Sequence, residues 1–212
     1  MEILVIVGPS GVGKTTVAYR LLEDTGCFEF VRSATTRAPR GDGRDNEYIY
    51  LTREEFLSRV KNGKMLEHME YGGNLYGTPA SEVERILAEG KTPLLILDIN
   101  GAKSLRAGNF PFRSIIVYLY ADIDVITERL LSRDGSEPTA EQIKVAEVRR
   151  ELNSRDYRSM PDIAYLFDGF IRNTSVQASA DELMCSFTAL CNGASRPTEK
   201  INAIADELAS SV

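Results

Sequence analysis

The chain has 212 residues, 43% of them apolar and 26% charged, with a net charge of −6. That length suits one α/β domain with insertions and a proper core, and the acidic balance argues against general nucleic-acid binding. Three cysteines (Cys27, Cys185 and Cys191), odd in number and without a C-x-x-C pairing, argue against a disulfide framework or a zinc site and for a reducing compartment.

Glu2 to Val7 (E-I-L-V-I-V) is a β-branched apolar run suited to a buried parallel strand. It is short and leads at once into a loop, so neither a signal peptide nor a membrane span is expected. The loop, Gly8 to Thr15, reads G-P-S-G-V-G-K-T and fits G-x-x-x-x-G-K-[S/T] at every fixed position. Thr15 to Leu22 continues as the first turns of a helix, with Val17, Ala18, Leu21 and Leu22 at helical spacing. Strand, glycine-rich turn and helix start are what phosphate binding needs: backbone N–H groups curl around the oxygens and the helix N-terminus adds partial positive charge. Lys14 can reach outer phosphates, and the Thr15 hydroxyl can ligate Mg²⁺.

Between Val31 and Pro79 turn residues are dense and the apolar pieces short, which predicts a small, partly β insertion. Within it, Ser33 to Arg40 (S-A-T-T-R-A-P-R) sets Arg37 and Arg40 three residues apart, and a guanidinium fork suits a second phosphate. Arg53–Asn62 and Ser81–Glu89 are predicted helices. Leu94–Ile99 and Ile115–Tyr120 are predicted core strands. Asp98 near the end of the first is either ligand-facing or the cap of the next turn. Asp122–Ser132 is a predicted helix with Asp122 as its N-cap, and Thr139–Asn153 is a charged helix. The arginine-rich stretch Arg129–Arg150 reads as a mobile cover. Beyond Cys191 the chain breaks at Asn192-Gly193 and Pro197 and ends in a weak amphipathic helix bearing Ile201, Ile204 and Leu208. Alternating strands and helices give a three-layer α/β/α fold on a parallel sheet.

The segments G-P-S-G-V-G-K-T, S-A-T-T-R-A-P-R, E-Y-I-Y, G-K-M-L-E-H, G-N-L-Y-G-T-P, L-L-I-L-D-I, R-L-L-S-R and F-D-G-F-I-R-N, in that order, resemble the guanylate kinase family. These P-loop enzymes move a phosphoryl group from ATP to GMP, and the resemblance covers residues 3 to about 190. It implies that Arg37, Arg40, Tyr48 and Tyr76 hold the phosphate of GMP. It implies that Ser33, Glu67 and Thr78 read guanine, with Asp98 near the base. Glu67 can accept from both N1–H and N2–H₂, hydrogens that adenine lacks in that arrangement. For ATP it implies Gly8, Pro9, Ser10, Gly11, Val12, Gly13, Lys14, Thr15 and Thr16, with Arg129, Arg133 and Asn173 near the adenine and the transferring phosphate. Lys14, Arg37, Arg133 and Arg149 are the catalytic candidates, and Mg²⁺ arrives with ATP on Thr15.

Two segments depart from the family pattern. The turn Gly41–Asn46 is about one residue shorter than the usual P-G-E type turn. The helix that carries the second lid arginine follows R-L-x-x-A in the family, whereas this chain has I-K-V-A-E-V-R-R-E; Arg149 and Arg150 both qualify, with Lys144 near. The expected organisation is a guanylate kinase-like domain over 1–191, comprising a core (1–31, 80–128, 151–191), a GMP-binding insertion (32–79) and a lid (129–150), followed by an extension (192–212). The resemblance implies a cytoplasmic ATP:GMP phosphotransferase that also takes dGMP and has no nucleic-acid or membrane partner, its oligomeric state open. A non-catalytic guanylate kinase-like interaction module and a related P-loop kinase acting on a ribose phosphate are the alternatives.

Overall fold

Alternation of buried strands with helices organises the chain, which a computed structural model describes over residues 1–39, 48–108, 110–132 and 138–212. Strand β1 (Glu2–Val7), helix α1 (Lys14–Thr25) and strand β2 (Phe28–Phe30) begin the core. Strands β3 (Ser33–Thr35) and β4 (Tyr48–Tyr50), helix α2 (Arg53–Lys61) and strands β5 (Met65–Tyr71) and β6 (Asn74–Pro79) form the insertion. The chain then returns through α3 (Ala80–Ala88), β7 (Thr92–Ile96), α4 (Ile99–Ala107), β8 (Arg113–Tyr120) and α5 (Ile123–Leu131). It closes with α6 (Ala140–Arg158), α7 (Met160–Ile163), β9 (Gly169–Arg172), α8 (Val176–Cys191) and α9 (Thr198–Ser210).

The core sheet is wholly parallel, in the order β2-β7-β1-β8-β9. Ile3 to Val7 at its centre are at most 1% exposed, as a parallel strand covered on both faces requires. Helices α1 and α8 pack together on the sheet, and α3 and α4 pack on β7 and β8, giving three layers. The insertion has its own mixed sheet, β4-β3-β6-β5, whose apolar face (Ala34, Met65 and Leu75) is closed by Phe56 of α2.

The sequence reading and the structure differ at three places. The strand placed at Leu94–Ile99 ends at Ile96, because Asp98 accepts from the Gly101 N–H at 2.7 Å and starts α4. Asp122 stands at the N-cap of α5 without capping it; its carboxylate takes Nη2 of Arg172 at 2.6 and 2.7 Å, a charge-assisted contact that wins over a neutral N–H. The charged helix runs on to Arg158, started by a capping box between Thr139 and Gln142. The terminal helix, which the sequence left equally open to packing or fraying, is packed, with Ile201, Ala205 and Leu208 buried in the main core. Strands β2 and β9 and helices α4, α7 and α8 are additions to the elements predicted.

Candidate active site

The loop after β1 sits where an open parallel sheet leaves a crevice at its strand ends. Gly13 adopts φ +100, and a Cβ there would lie 2.7 Å from Nδ2 of Asn173, so only glycine fits. No side chain caps α1, whose first N–H groups therefore suit a ligand. Nζ of Lys14 donates to the carbonyls of Gly8 at 2.7 Å and Pro9 at 2.9 Å, two of its three donors.

Three side chains grip the outside of this loop. Nδ2 of Asn173 donates to the Val12 carbonyl at 2.6 Å, and Oδ1 of Asn173 accepts from the Ser179 hydroxyl. Nη1 of Arg129 donates to the same Val12 carbonyl at 3.3 Å, and its Nη2 to the Asn173 carbonyl at 3.2 Å. Asn153 bonds both the N–H and the C=O of Ser10. Arg129 and Asn173, predicted to lie near the adenine and the transferring phosphate, here hold the loop in shape. Asn153 escaped the sequence reading; its only signal is an asparagine where the R-L-x-x-A pattern, counted from Arg149, has alanine.

A cavity of about 410 Å³ opens over the loop, with Lys14, Thr15, Thr16, Arg129 and Arg149 on its walls. Of the three lid cations weighed from the sequence, Arg149 reaches this cavity. Arg150 instead pairs with Asp124 at 2.6 Å and Thr127 at 3.3 Å on α5, and Lys144 is exposed. Arg40 and Arg133 lie outside the described residues, as does the turn Gly41–Asn46.

The insertion presents its candidates through strand register. Tyr48 pairs with Ser33, Ala34 with Gly77, which sets Ser33 opposite Thr78, and Thr78 pairs with Glu67. Directly paired residues share a face. Tyr48, Ser33, Thr78 and Glu67 therefore form one row across all four strands, on the face opposite Phe56. Tyr76, two residues before Thr78, lies on that face too. A register shift between Met65 and Glu67 makes this possible. Met65 joins the small core under α2, while the bulge turns Leu66 to the main core and Glu67 to the row. Thr78 donates its hydroxyl to Oε1 of Glu67 at 2.7 Å.

Arg37 lies beside this row, its guanidinium 5.3 Å from the Tyr48 ring centre. Among the described residues its buried Nη1 has no hydrogen-bond partner. A guanidinium N–H left so costs about 1–3 kcal/mol, which an arriving anion would recover. A second cavity, about 440 Å³, has Ser33 and Tyr48 on one wall and Thr15 on the other, so Thr15 borders both cavities.

Electrostatics join the two halves. Burial lowers the Lys14 ammonium to about 8, against the charges of Asp98 and Asp156, which favour its proton. Burial raises the Glu67 carboxyl, opposed by the Thr78 hydroxyl bond and assisted by Asp98. Asp98 therefore acts on the phosphate loop and on the row in the insertion, while one of its oxygens caps α4. Asp156 of α6, raised first by burial and then by Asp98, also escaped the sequence reading, for a lone acid in a charged helix carries no signal. The arrangement can bind a polyphosphate on one side and a base-bearing monophosphate on the other, with cations between them.

A family model described as guanylate kinase matches residues 1–189. A guanylate kinase of Synechocystis sp. is 39% identical over 165 residues, covering 76% of this chain and 86% of the relative. One from Oleidesulfovibrio alaskensis is 34% identical over 189 residues, covering 88% and 86%. The crystal structure of guanylate kinase from Anaplasma phagocytophilum matches with a TM-score of 0.58 at 26% identity, covering 88% of this chain and 84% of that one.

Proposed function

Because the chain belongs to the guanylate kinase family and is an ATP:GMP phosphotransferase, we propose that the row in the insertion is its guanine reader and the loop after β1 its ATP cradle. The row Tyr48–Ser33–Thr78–Glu67 carries this reading. Glu67 accepts from N1–H and N2–H₂ of guanine, and the hydroxyls of Ser33 and Thr78 complete the base contacts. Asp98 borders the base. Arg37, Arg40, Tyr48 and Tyr76 bind the monophosphate, and the unpartnered Nη1 of Arg37 supports that assignment. Nothing in the row requires a 2′-hydroxyl, so dGMP is a substrate as well.

On the donor side the amides of Gly8 to Thr16 and the Lys14 ammonium hold the triphosphate. Arg129, Arg133 and Asn173 border the adenine end. Mg²⁺ suits this site: the Thr15 hydroxyl stands at the helix start between the cavities, a hard oxygen donor beside the phosphates. Among the described residues no cluster of three acidic, histidine or cysteine side chains offers a cage, which fits an ion carried in by ATP. Mg²⁺, held by the Thr15 hydroxyl with the nucleotide, would neutralise phosphate charge and favour departure of the diphosphate. Lys14, Arg37, Arg133 and Arg149 stabilise the charge spread over the moving phosphoryl group. The insertion (32–79) and the lid (129–150) close over the core to exclude water as the competing acceptor.

Among the described residues no helix is long and apolar enough to cross a membrane. The net charge of −6 supports an enzyme without nucleic-acid partners, and the reading places it in the cytoplasm without a membrane partner. A turnover panel of GMP, dGMP, AMP, UMP and ribose phosphates tests the reading, together with Glu67→Gln. The variant should raise the KM for GMP about a hundredfold or more and change ATP binding by less than about threefold. Equal loss of both, or better turnover of a ribose phosphate than of GMP, would overturn the guanine role.

A further inference from the structure

Asn153 ties the lid helix to the phosphate loop. Its Oδ1 accepts from the Ser10 N–H and its Nδ2 donates to the Ser10 C=O, both at 3.0 Å, and the residue is 3% exposed. These two bonds clamp both peptide groups that flank Ser10. A trans peptide is planar, and its C=O and N–H point opposite ways. Turning the Ser10 N–H outward to Asn153 therefore turns the Pro9 C=O inward, where it accepts from Lys14 Nζ at 2.9 Å and the Val12 N–H at 3.3 Å. Turning the Ser10 C=O outward likewise sends the Gly11 N–H inward, toward the cavity above the loop. The loop has little room to relax against α5, since a Cβ on Gly11 would lie 2.7 Å from Cγ of Leu130.

The same helix carries the lid cation. Arg149 precedes Asn153 by one helical turn and Asp156 follows it by another, so the three share one face. Arg149 lines the cavity over Lys14. The C-terminal end of the helix is fixed to the core, where the Tyr157 hydroxyl donates to the Ala121 carbonyl at 2.7 Å. We propose that Asn153 is a positioning residue for phosphoryl transfer, holding Arg149 in register with Lys14 and setting the inward aim of the Gly11 N–H. The proposal rests on the reading of Arg149 as the lid cation. Its action goes through other groups, for its own amide is committed on both sides to Ser10.

Single-turnover kinetics of the full chain test it, on Asn153→Ala, Arg149→Ala and the double variant, with GMP affinity from calorimetry. Asn153→Ala should slow transfer about 10- to 30-fold, the worth of two net hydrogen bonds at the transition state. The GMP dissociation constant should stay within about twofold, a split that general loosening of the fold would not give. In the Arg149→Ala background the same substitution should cost clearly less, about 3- to 5-fold, because one of the two groups it positions is gone while the Gly11 N–H remains. Transfer within twofold of the parent by Asn153→Ala, a full loss in both backgrounds, or a parallel loss of GMP affinity overturns the proposal. Normal transfer by Arg149→Ala overturns the lid assignment and this coupling with it, whereas slow Arg149→Ala beside normal Asn153→Ala overturns the coupling alone. If Asn153→Ala melts below the assay temperature, Asn153→Asp carries the same comparison, since it keeps the volume and the acceptor for Ser10.

Discussion

Glu67 is under opposing demands at the level of the single residue. Burial raises its carboxyl, so the folded protein favours the neutral form. Stability from such a group is complete below the unfolded value and is lost as pH rises through the folded one. Burial thus withholds water from a carboxyl group that guanine's N1–H and N2–H₂ would satisfy on binding. Glu67→Gln should leave the melting temperature of the nucleotide-free protein at pH 7 unchanged or higher, even as it weakens GMP use; a fall of several degrees would mean that Glu67 is structural. Lys14 sets the other limit. Its ammonium, lowered to about 8 by burial, loses its proton as pH rises through that value. The kcat/KM for ATP should fall above about pH 8, while kcat at saturating ATP holds to higher pH, because bound phosphates favour the ammonium. A pH profile with the same alkaline limb in both quantities would contradict this. Lys14 could be read from one motif, since the loop states its chemistry locally. Glu67 could not be read alone, because its partner Thr78 stands eleven residues away and only strand register brings them together. Asn153 and Asp156 were less legible still, as their meaning depends on a contact across 143 positions for one and on burial beside Lys14 for the other.

Single elements explain why that register holds. The bulge in β5 is what gives Met65 and Glu67 different faces, and Gly77 lets β5 and β6 approach beneath it. A Cβ on Gly77 would lie 2.6 Å from the Glu67 carbonyl and 3.1 Å from Cζ of Phe56, two neighbours held by backbone and core. Gly77→Ala should therefore cost about 1–3 kcal/mol by overpacking and displace Glu67 from Thr78. The expected signature is a KM for GMP raised at least about tenfold with ATP binding retained, read by steady-state kinetics beside a urea titration. Unchanged GMP kinetics would show that the sheet yields without moving Glu67. Long, periodic elements such as β1, β8 and α5 were visible in the sequence because each carries its own pattern of burial. Strands β2 and β9 were not, at three and four residues, for their strand character comes from pairing with β7 and β8. Asp98 misled on the length of β7 because an aspartate after an apolar run fits both a strand end and a helix cap.

At the scale of the whole molecule, α9 shows that the core extends past the family match, which ends at residue 189. This helix packs on β9, α6 and α7, and covers the edge of the sheet that β9 would otherwise expose. Arg196 anchors its approach by donating to the carbonyls of Phe167 and Ala164, both at 2.6 Å. Ile201 and Leu208 are 1% and 5% exposed, so the apolar face of this helix is buried against the core. An amphipathic stretch after two chain breakers left packing and fraying equally open, because which surface it covers depends on β9, itself legible only through pairing. Leu208→Ala should cost about 2–5 kcal/mol and lower the melting temperature by roughly 2–4 °C per kcal/mol. Leu208 lines neither cavity, so KM for ATP and GMP should each stay within about twofold below the transition. Calorimetric melting with kinetics at 20–25 °C separates the two effects. Loss of turnover without loss of stability would instead make α9 a brace for the lid, acting through its contact with α6, and α6 carries both Arg149 and Asn153.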